Sequence, residues 1–194
     1  LAQRNWIRNY LNQFEKAMYA ANWLSATGTN HYSHYIDVDS FVDNHWIVEF
    51  AKQIDGYRLS NYMSKDRGGK LRMDPIWDWN LSFGNADYLE GWLTSGWYYT
   101  QLDDNAHIWL RRLMCGTTSS SGTTGDPDFN QKIADRWSVL RTNILASSNL
   151  LARIDELAAS LNEAQVRDFQ KWPRLGDYIW PNPPMYATPT TYAG

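Results

Sequence analysis

The sequence predicts an α+β fold that is mostly helical, with one central β-hairpin. Apolar residues recur at the helical period in the first fifty residues and again after residue 105. Between these regions, "YRLSNYMSKDRGGKLRMDPIWD" loses the helical period and has a turn-forming Asp-Arg-Gly-Gly at its centre. At 194 residues the chain is long enough for one hydrophobic core, and no internal repeat is visible. A single unit over residues 1–194 is therefore expected.

Two helices precede the hairpin. Residues 4–23 place large apolar side chains at near-helical spacing and predict an amphipathic helix. The second helix follows Asp37 and Asp39, which are good N-cap residues, and carries apolar residues on most of its faces. We expect it to be largely buried and to end near Asp55 and Gly56, where glycine allows the chain to leave the helix.

The hairpin is expected to pair an antiparallel strand near residues 57–65 with one near residues 70–77. Asp66, Gly68 and Gly69 supply the positive φ angles that a tight turn requires. A strand pair of this kind brings its two ends together. Residues just before the first strand and just after the second should therefore be neighbours in space.

Four helices are expected after the hairpin. The first covers residues 105–114. The second begins after Asp126, a capping residue, with Pro127 at its first position. Two further helical stretches are predicted over residues 148–160 and 162–172.

Three stretches lack a regular period. Residues 84–104 are irregular and aromatic, and the chain ends in the Pro-rich "WPNPPMYATPTTYAG". Residues 117–125 lie in a low-complexity run of Gly, Ser and Thr. This composition predicts a flexible surface loop.

Composition excludes several classes of protein. A net charge of −3 without a basic stripe argues against nucleic acid as a partner. The single cysteine, Cys115, excludes an internal disulfide framework. No apolar run approaches the roughly 18 residues that a membrane span needs, and no targeting signal is present. Because the chain starts at Leu1, we expect it to be a piece of a longer protein.

Two aspartates flank the hairpin. Asp55 precedes the first strand and Asp78 follows the second, so both should lie at one end of a rigid scaffold. Such a pair can divide metal binding and proton acceptance between its members, and Asn61 could add a neutral oxygen ligand for Mg²⁺. Phosphoryl-transfer enzymes of the protein-kinase type use this division. Two aspartates beside a hairpin also occur for purely structural reasons.

A longer pattern surrounds these aspartates. The segment "IDVDSFVDNHWIVEFAKQIDGYRLSNYMSKDRGGKLRMDPIWDWNLSFGN" resembles the core signature of the spore coat protein H (CotH) family, which are atypical, secretory-type protein kinases. The resemblance is dense over residues 37–85. It continues more loosely through "IWLRRLM", "DPDFNQKIADRWSVLRTNIL" and "RDFQKWP" towards the end of the chain.

The resemblance implies a fold and a set of roles. The chain corresponds to the C-terminal, helix-rich lobe of an atypical kinase-like fold, and the N-terminal nucleotide-binding lobe is absent from residues 1–194. Asp55 takes the position of the catalytic aspartate, and Asp78 that of the Mg²⁺-binding aspartate. Asn61 and Asn80 complete the metal ligands, although the family often has Asp at the position of Asn80. The isolated chain is expected to be inactive.

The implied activity is transfer of the γ-phosphate of ATP, with Mg²⁺, to Ser or Thr of a surface or coat protein. The resemblance also implies a bacterial protein that works outside the cell or at its surface. Two alternatives stay open. One is a catalytically silent structural or adhesion protein on the same fold, favoured by the amide at Asn80.

The second alternative is a carbohydrate-binding module, because exposed aromatic rings stack on sugars. It requires an exposed surface formed by Trp92, Trp97, Tyr98 and Tyr99; the competing interpretation is that these residues fill the core.

Aromatic residues also surround the second aspartate. If the stretch is extended, Trp77 and Trp79 should point to opposite faces and clamp Asp78 between them. Phe83 is expected to close the segment against the helical core. Rigid surroundings of this kind would hold a metal-binding carboxylate in place.

Overall fold

Helices dominate the architecture, and the only sheet among the described residues has two strands. The computed structural model describes residues 2–101, 107–115, 125–183 and 189–192. The elements are α1 (Ala2–Met18), α2 (Val38–Ala51), β1 (Met63–Ser64), β2 (Arg72–Met73), α3 (Ile108–Cys115), α4 (Pro127–Thr142) and α5 (Ser147–Lys171). Short 3-10 turns cover Gly28–Asn30, Tyr32–His34 and Tyr98–Gln101. The predicted α+β class, mostly helical with one hairpin, is confirmed.

The core forms around α2. Its N-cap is Asp37, whose carboxylate accepts a hydrogen bond from the Ser40 amide at 3.3 Å, as predicted. The helix packs against α4 and β2. The buried indole of Trp46 donates to the carbonyl of Ile133 on α4 at 2.8 Å. Tryptophan here combines apolar burial with a satisfied N–H, so this part of the core is both packed and oriented.

The hairpin is antiparallel but shorter than predicted, with Met63 opposite Met73 and Ser64 opposite Arg72. Residues 57–60 form a turn because the carbonyl of Asp55 accepts the amides of three residues that follow it. On the second side, Pro75 has no N–H to give to a ladder. Only the middle of the predicted strands can therefore pair.

The helix boundaries differ from the predictions in three places. Helix α2 ends at Ala51 instead of near Asp55 and Gly56, because Lys52 and not glycine adopts the left-handed conformation that ends the helix. The first helix ends at Met18 instead of continuing to residue 23, and turns follow it. The two predicted stretches over 148–160 and 162–172 are one helix, α5. The sequence between them contains neither Gly nor Pro, so nothing interrupts the i to i−4 hydrogen bonds.

The cap of α4 is confirmed. Asp126 accepts from the amides of Asp128 and Phe129, and Pro127 occupies the first turn. Residues 117–124 of the predicted flexible loop lie outside the described residues. Gly125, at the end of that loop, is buried, and a Cβ there would lie 2.1 Å from the Leu113 carbonyl oxygen. The predicted exposure is therefore wrong at this one residue.

Among the residues that the structure describes, no helix has both the length and the apolar character needed to cross a bilayer.

Candidate functional site

The candidate site lies where α2 meets the hairpin. We call residues 49–60 together with residues 78–83 the junction. Helix α2 ends because Lys52 adopts a left-handed conformation, with φ of 45°. The Nζ of Lys52 donates to the carbonyls of Leu93 and Ser95, each at 2.9 Å. The chain then runs beside residues 81–83: the Ile54 amide donates to the Leu81 carbonyl, and the Phe83 amide donates to the Ala51 carbonyl at 2.7 Å.

Asp55 is buried in this junction. Its amide donates to the side-chain oxygen of Gln53 at 2.6 Å. Its carbonyl closes the turn with the amides of Arg58, Leu59 and Ser60 at 2.9–3.1 Å. Its carboxylate accepts from the Arg58 guanidinium at 2.9 Å. Backbone and side chain are therefore both held, which gives the carboxylate one orientation.

Asp78 is exposed, but its backbone is fixed. It has a φ of 64°, a left-handed conformation that non-glycine residues adopt at a cost and that concentrates at functional sites. Its carbonyl accepts from the side-chain amide of Gln53 at 2.8 Å. Its carboxylate accepts from the Ser60 hydroxyl at 3.2 Å. The outer carboxylate oxygens remain accessible to a cation.

Hydrogen bonds join the segments of Asp55 and Asp78, although the paired strands end at Met63 and Met73 and reach neither residue. Two routes join them. Gln53 bonds the amide of one and the carbonyl of the other. Ser60 bonds the carbonyl of Asp55 through its amide and the carboxylate of Asp78 through its hydroxyl.

The two predicted amide ligands are placed less firmly. Asn61 directly follows Ser60 and is half-buried, and Asn80 lies two residues beyond Asp78 and is exposed. Neither side chain makes a hydrogen bond within the described part of the chain, although the Asn80 carbonyl accepts from Asn85 at 2.7 Å. Both amide oxygens are thus available as ligands, but neither is held in place.

The chemistry of these oxygens fits a hard cation bound together with a phosphate ligand. Among the described residues, no group of three His, Cys, Asp or Glu side chains could hold a metal ion alone. Mg²⁺ commonly uses one or two protein carboxylates and takes its other ligands from water and substrate phosphates. Asp78 offers one exposed carboxylate of this kind, and the described residues form no all-protein cage.

The predicted aromatic clamp is wrong in part. Trp79 packs against the core, but Trp77 is 57% exposed and contacts only the ring of Tyr62, edge to face, among the described aromatic rings. Phe83 is 72% exposed instead of closed into the core. Its φ of 51° lets its amide reach the Ala51 carbonyl, and this backbone bond leaves the ring at the surface beside Phe50.

A buried polar network centred on Glu49 connects the junction to the aromatic residues Tyr98 and Tyr99. The Glu49 carboxylate accepts from the amides of Tyr98 and Tyr99 at 2.7 and 2.8 Å and from the Tyr57 hydroxyl at 2.9 Å. The same hydroxyl bonds Nδ1 of His45 at 2.9 Å. Burial, followed by the nearby His107, lowers the pKa of His45 to about 4, and burial raises the pKa of Glu49. The buried imidazole is therefore neutral at pH 7.

The burial of these aromatic residues tests whether they form a sugar-binding surface. Tyr98 is buried, and its hydroxyl donates to the carbonyl of Ile54, directly before Asp55. Trp92 and Tyr99 are half-buried, and only Trp97, at 50%, is exposed among the four candidates. Tyr98 and Tyr99 therefore support the junction, and one exposed ring of the four does not favour a carbohydrate-binding module.

Three residues of the site escaped the sequence analysis: Gln53, Arg58 and Ser60. All lie within "QIDGYRLS", close to Asp55. One sequence signal for this part of the site was Gln53, a polar residue just after a predicted buried helix. If such an amide is buried, it needs hydrogen-bond partners. Sequence alone does not say which partners it finds.

Two aspartates at the base of a hairpin, on a helical scaffold with donors for one hard cation, are the elements that kinase-type phosphoryl-transfer sites use. A family model described as "CotH kinase protein" matches residues 2–191. The chain therefore belongs to the CotH family. No curated protein and no solved structure matches it.

Proposed function

We propose that the chain is the helix-rich C-terminal lobe of a CotH-type Ser/Thr protein kinase. The single observation that carries the proposal is the meeting of Asp55 and Asp78 at the junction, in a chain that belongs to a kinase family. One carboxylate is buried and oriented, whereas the other is accessible. This difference suits the two tasks that phosphoryl transfer requires.

In this proposal Asp55 orients the acceptor hydroxyl of a Ser or Thr and accepts its proton. The hydroxyl oxygen forms a bond to the γ-phosphorus of ATP, the bond from that phosphorus to the bridging oxygen breaks, and ADP leaves. Asp78, assisted by Asn61 and Asn80, would hold Mg²⁺. When bound, the cation neutralises charge on the phosphates. Arg58 would keep the Asp55 carboxylate turned in one direction through their 2.9 Å contact.

The remainder of the nucleotide site is proposed to lie outside residues 1–194. The described residues contain one strand pair, β1 with β2, and its "DRGGK" turn does not open a helix and so lacks the form of a phosphate cradle. A bacterial coat or surface protein as substrate, and a location outside the cell, follow from the family resemblance and belong to the same proposal.

A second candidate is a catalytically silent structural protein that keeps the fold. It is favoured by Asn80, where an amide replaces the carboxylate that the family often has. Loss of one negative charge weakens attraction for a divalent cation, but an amide oxygen can still ligate. Asp55 and Asp78 are both retained, and for that reason we prefer the kinase.

The test is transfer of labelled phosphate from γ-labelled ATP with Mg²⁺, using the longest natural protein that contains residues 1–194. Asp55→Asn and Asp78→Asn should each abolish label incorporation. Asp43→Asn is the matched control, because Asp43 is exposed and pairs with Arg136 on α4, outside the junction. Folded wild-type protein that incorporates no label would support the silent structural protein and contradict the kinase.

A further inference from the structure

We propose that Gln53 is the positioning residue that fixes Asp55 and Asp78 relative to each other. This inference rests on the proposed function, because it takes Asp78 as the metal-binding carboxylate. It adds a role for a residue of the Asp55 segment whose side chain contacts the backbone of both aspartates. The role is to set the separation of the two carboxylates before any ligand arrives.

The geometry of Gln53 is that of a two-sided brace. The residue is 0% exposed. Its side-chain oxygen accepts from the Asp55 amide at 2.6 Å, and its side-chain nitrogen donates to the Asp78 carbonyl at 2.8 Å. One planar amide thus joins two segments that are 25 residues apart in the chain, measured from Gln53 to Asp78.

Few side chains can do this. The position requires one donor and one acceptor on a stem long enough to span the two segments. Lysine can only donate, ionised glutamate can only accept, and methionine fills the same volume with neither function. Removing the amide would leave the Asp55 N–H and the Asp78 carbonyl without these partners, and an unsatisfied buried group is unfavourable.

The brace acts where the backbone most needs support. Asp78 has a left-handed φ of 64°, which an unsupported chain would leave. The other link between the aspartates, through the Ser60 hydroxyl, is longer at 3.2 Å and lies at the surface, where water competes. Ligand geometry must hold to about 0.5 Å for a site to work. Gln53 therefore fixes the backbone from which the Asp78 carboxylate projects.

The test separates the hydrogen bonds of the Gln53 side chain from the space that the side chain fills. Gln53→Met keeps the side-chain volume and removes both hydrogen bonds, whereas Gln53→Asn keeps the amide and shortens the stem. Mn²⁺ is the probe, used as a spectroscopic substitute for Mg²⁺. The free ion is titrated by electron paramagnetic resonance on the longest natural protein that contains residues 1–194, with ADP present and with a sample of ADP alone as the blank. Thermal unfolding is recorded on the same samples, and only the folded fraction is counted.

A matched control removes one buried hydrogen bond elsewhere. Tyr32→Phe deletes the bond from the buried Tyr32 hydroxyl to Asp126, the N-cap of α4. It should lower the unfolding temperature and leave Mn²⁺ affinity unchanged. We expect Gln53→Met to weaken Mn²⁺ binding about tenfold or more, which corresponds to about 1.4 kcal/mol. Gln53→Asn should bind more tightly than Gln53→Met.

Other results would overturn the inference in distinguishable ways. If Gln53→Met binds Mn²⁺ as the wild type does while Asp78→Asn does not bind, Gln53 merely fills space and the proposed metal site stands. The same conclusion follows if Gln53→Asn is weaker than Gln53→Met. If the folded wild type takes up no Mn²⁺, the role of Asp78 in the proposed function fails, and the role of Gln53 fails with it.

Discussion

The junction and helix α5 are built on opposite principles. The junction buries Glu49, Lys52, Gln53 and Asp55, and each of them makes specific hydrogen bonds. Helix α5 has 25 residues, none of them buried, and its charged side chains pair with one another at the surface. The junction thus buries polar groups, whereas α5 exposes three of its four leucines.

The comparison of the two regions shows that contacts between residues distant in sequence determine the side-chain geometry of the junction and not that of α5. A polar group out of water is unfavourable unless it is bonded, so every buried polar residue of the junction selects one arrangement. The exposed side chains of α5 do not require one particular arrangement. The helix is stabilised by local helix propensity and by ion pairs three and four residues apart. The region with selected geometry is also the one that carries Asp55 and Asp78.

The largest expected effect on stability comes from a buried isoleucine of the junction, compared with an exposed isoleucine of α5. Ile54→Ala removes a side chain that is 0% exposed beside Asp55, and should lower the free energy of unfolding by about 2–5 kcal/mol. Ile154→Ala acts on a side chain of α5 that is 60% exposed and should change it by less than about 0.5 kcal/mol. Urea unfolding of both variants measures the contrast, and equal losses would break it.

The pH dependence of stability should arise in the buried network. His45 has a pKa of about 4 when folded and about 6.5 when unfolded, so the unfolded state binds more protons between these values. Stability should therefore be complete above pH 6.5 and should decline as pH falls towards 4, by up to about 3 kcal/mol. Urea unfolding across this range checks the decline.

The variant His45→Gln should have a flatter profile over the same range, since it has no imidazole to protonate. His34→Gln, which changes an exposed histidine, is the matched substitution. Parallel profiles for the wild type and His45→Gln would show that His45 does not set the acid limit.

A gain of affinity is expected at the exposed side of the junction. Asn80→Asp adds a carboxylate two residues beyond Asp78 and should tighten Mn²⁺ binding about tenfold. Asn162→Asp, which adds the same charge at an exposed position of α5, should leave the affinity nearly unchanged. Calorimetric titration compares the two, and an unchanged affinity for Asn80→Asp would remove residue 80 from the proposed ligands.

The smallest effect should come from α5. Arg167→Ala breaks the ion pair with Glu163, which is 2.5 Å long and joins two exposed side chains. Exposed pairs four residues apart contribute about 0.3–0.5 kcal/mol, and alanine restores part of this through its helix propensity. Thermal unfolding should detect almost no change. A loss above about 1 kcal/mol would mean that this face of α5 is structurally important.

The same contrast explains what could be read from the sequence. The caps at Asp37 and Asp126 and the helical periods are local, and local patterns predict them well. The predicted order of elements places Asp55 and Asp78 on either side of the hairpin, but Gln53 and Ser60 link their segments, because the paired strands stop short of both aspartates. The one continuous α5 was missed because a polar stretch at residues 160–165 resembles a boundary although nothing in it stops a helix.

The remaining features depend on tertiary partners. Gln53 finds the carbonyl of Asp78 only after α2 has ended in the left-handed Lys52. Phe83 is exposed because its amide is needed by the Ala51 carbonyl, and an apolar ring would otherwise predict burial. Positive φ angles at residues other than glycine have no clear signal in the sequence.

The division of labour between the two aspartates is the central claim, and ATP binding with and without Mn²⁺ tests it most directly. The measurement uses the longest natural protein that contains residues 1–194, as wild type, Asp55→Asn and Asp78→Asn. We predict that Asp78→Asn loses the increase in ATP affinity that Mn²⁺ gives, whereas Asp55→Asn keeps that increase and loses only phosphate transfer. Equal dependence on Mn²⁺ in all three proteins would contradict the assignment of the metal to Asp78.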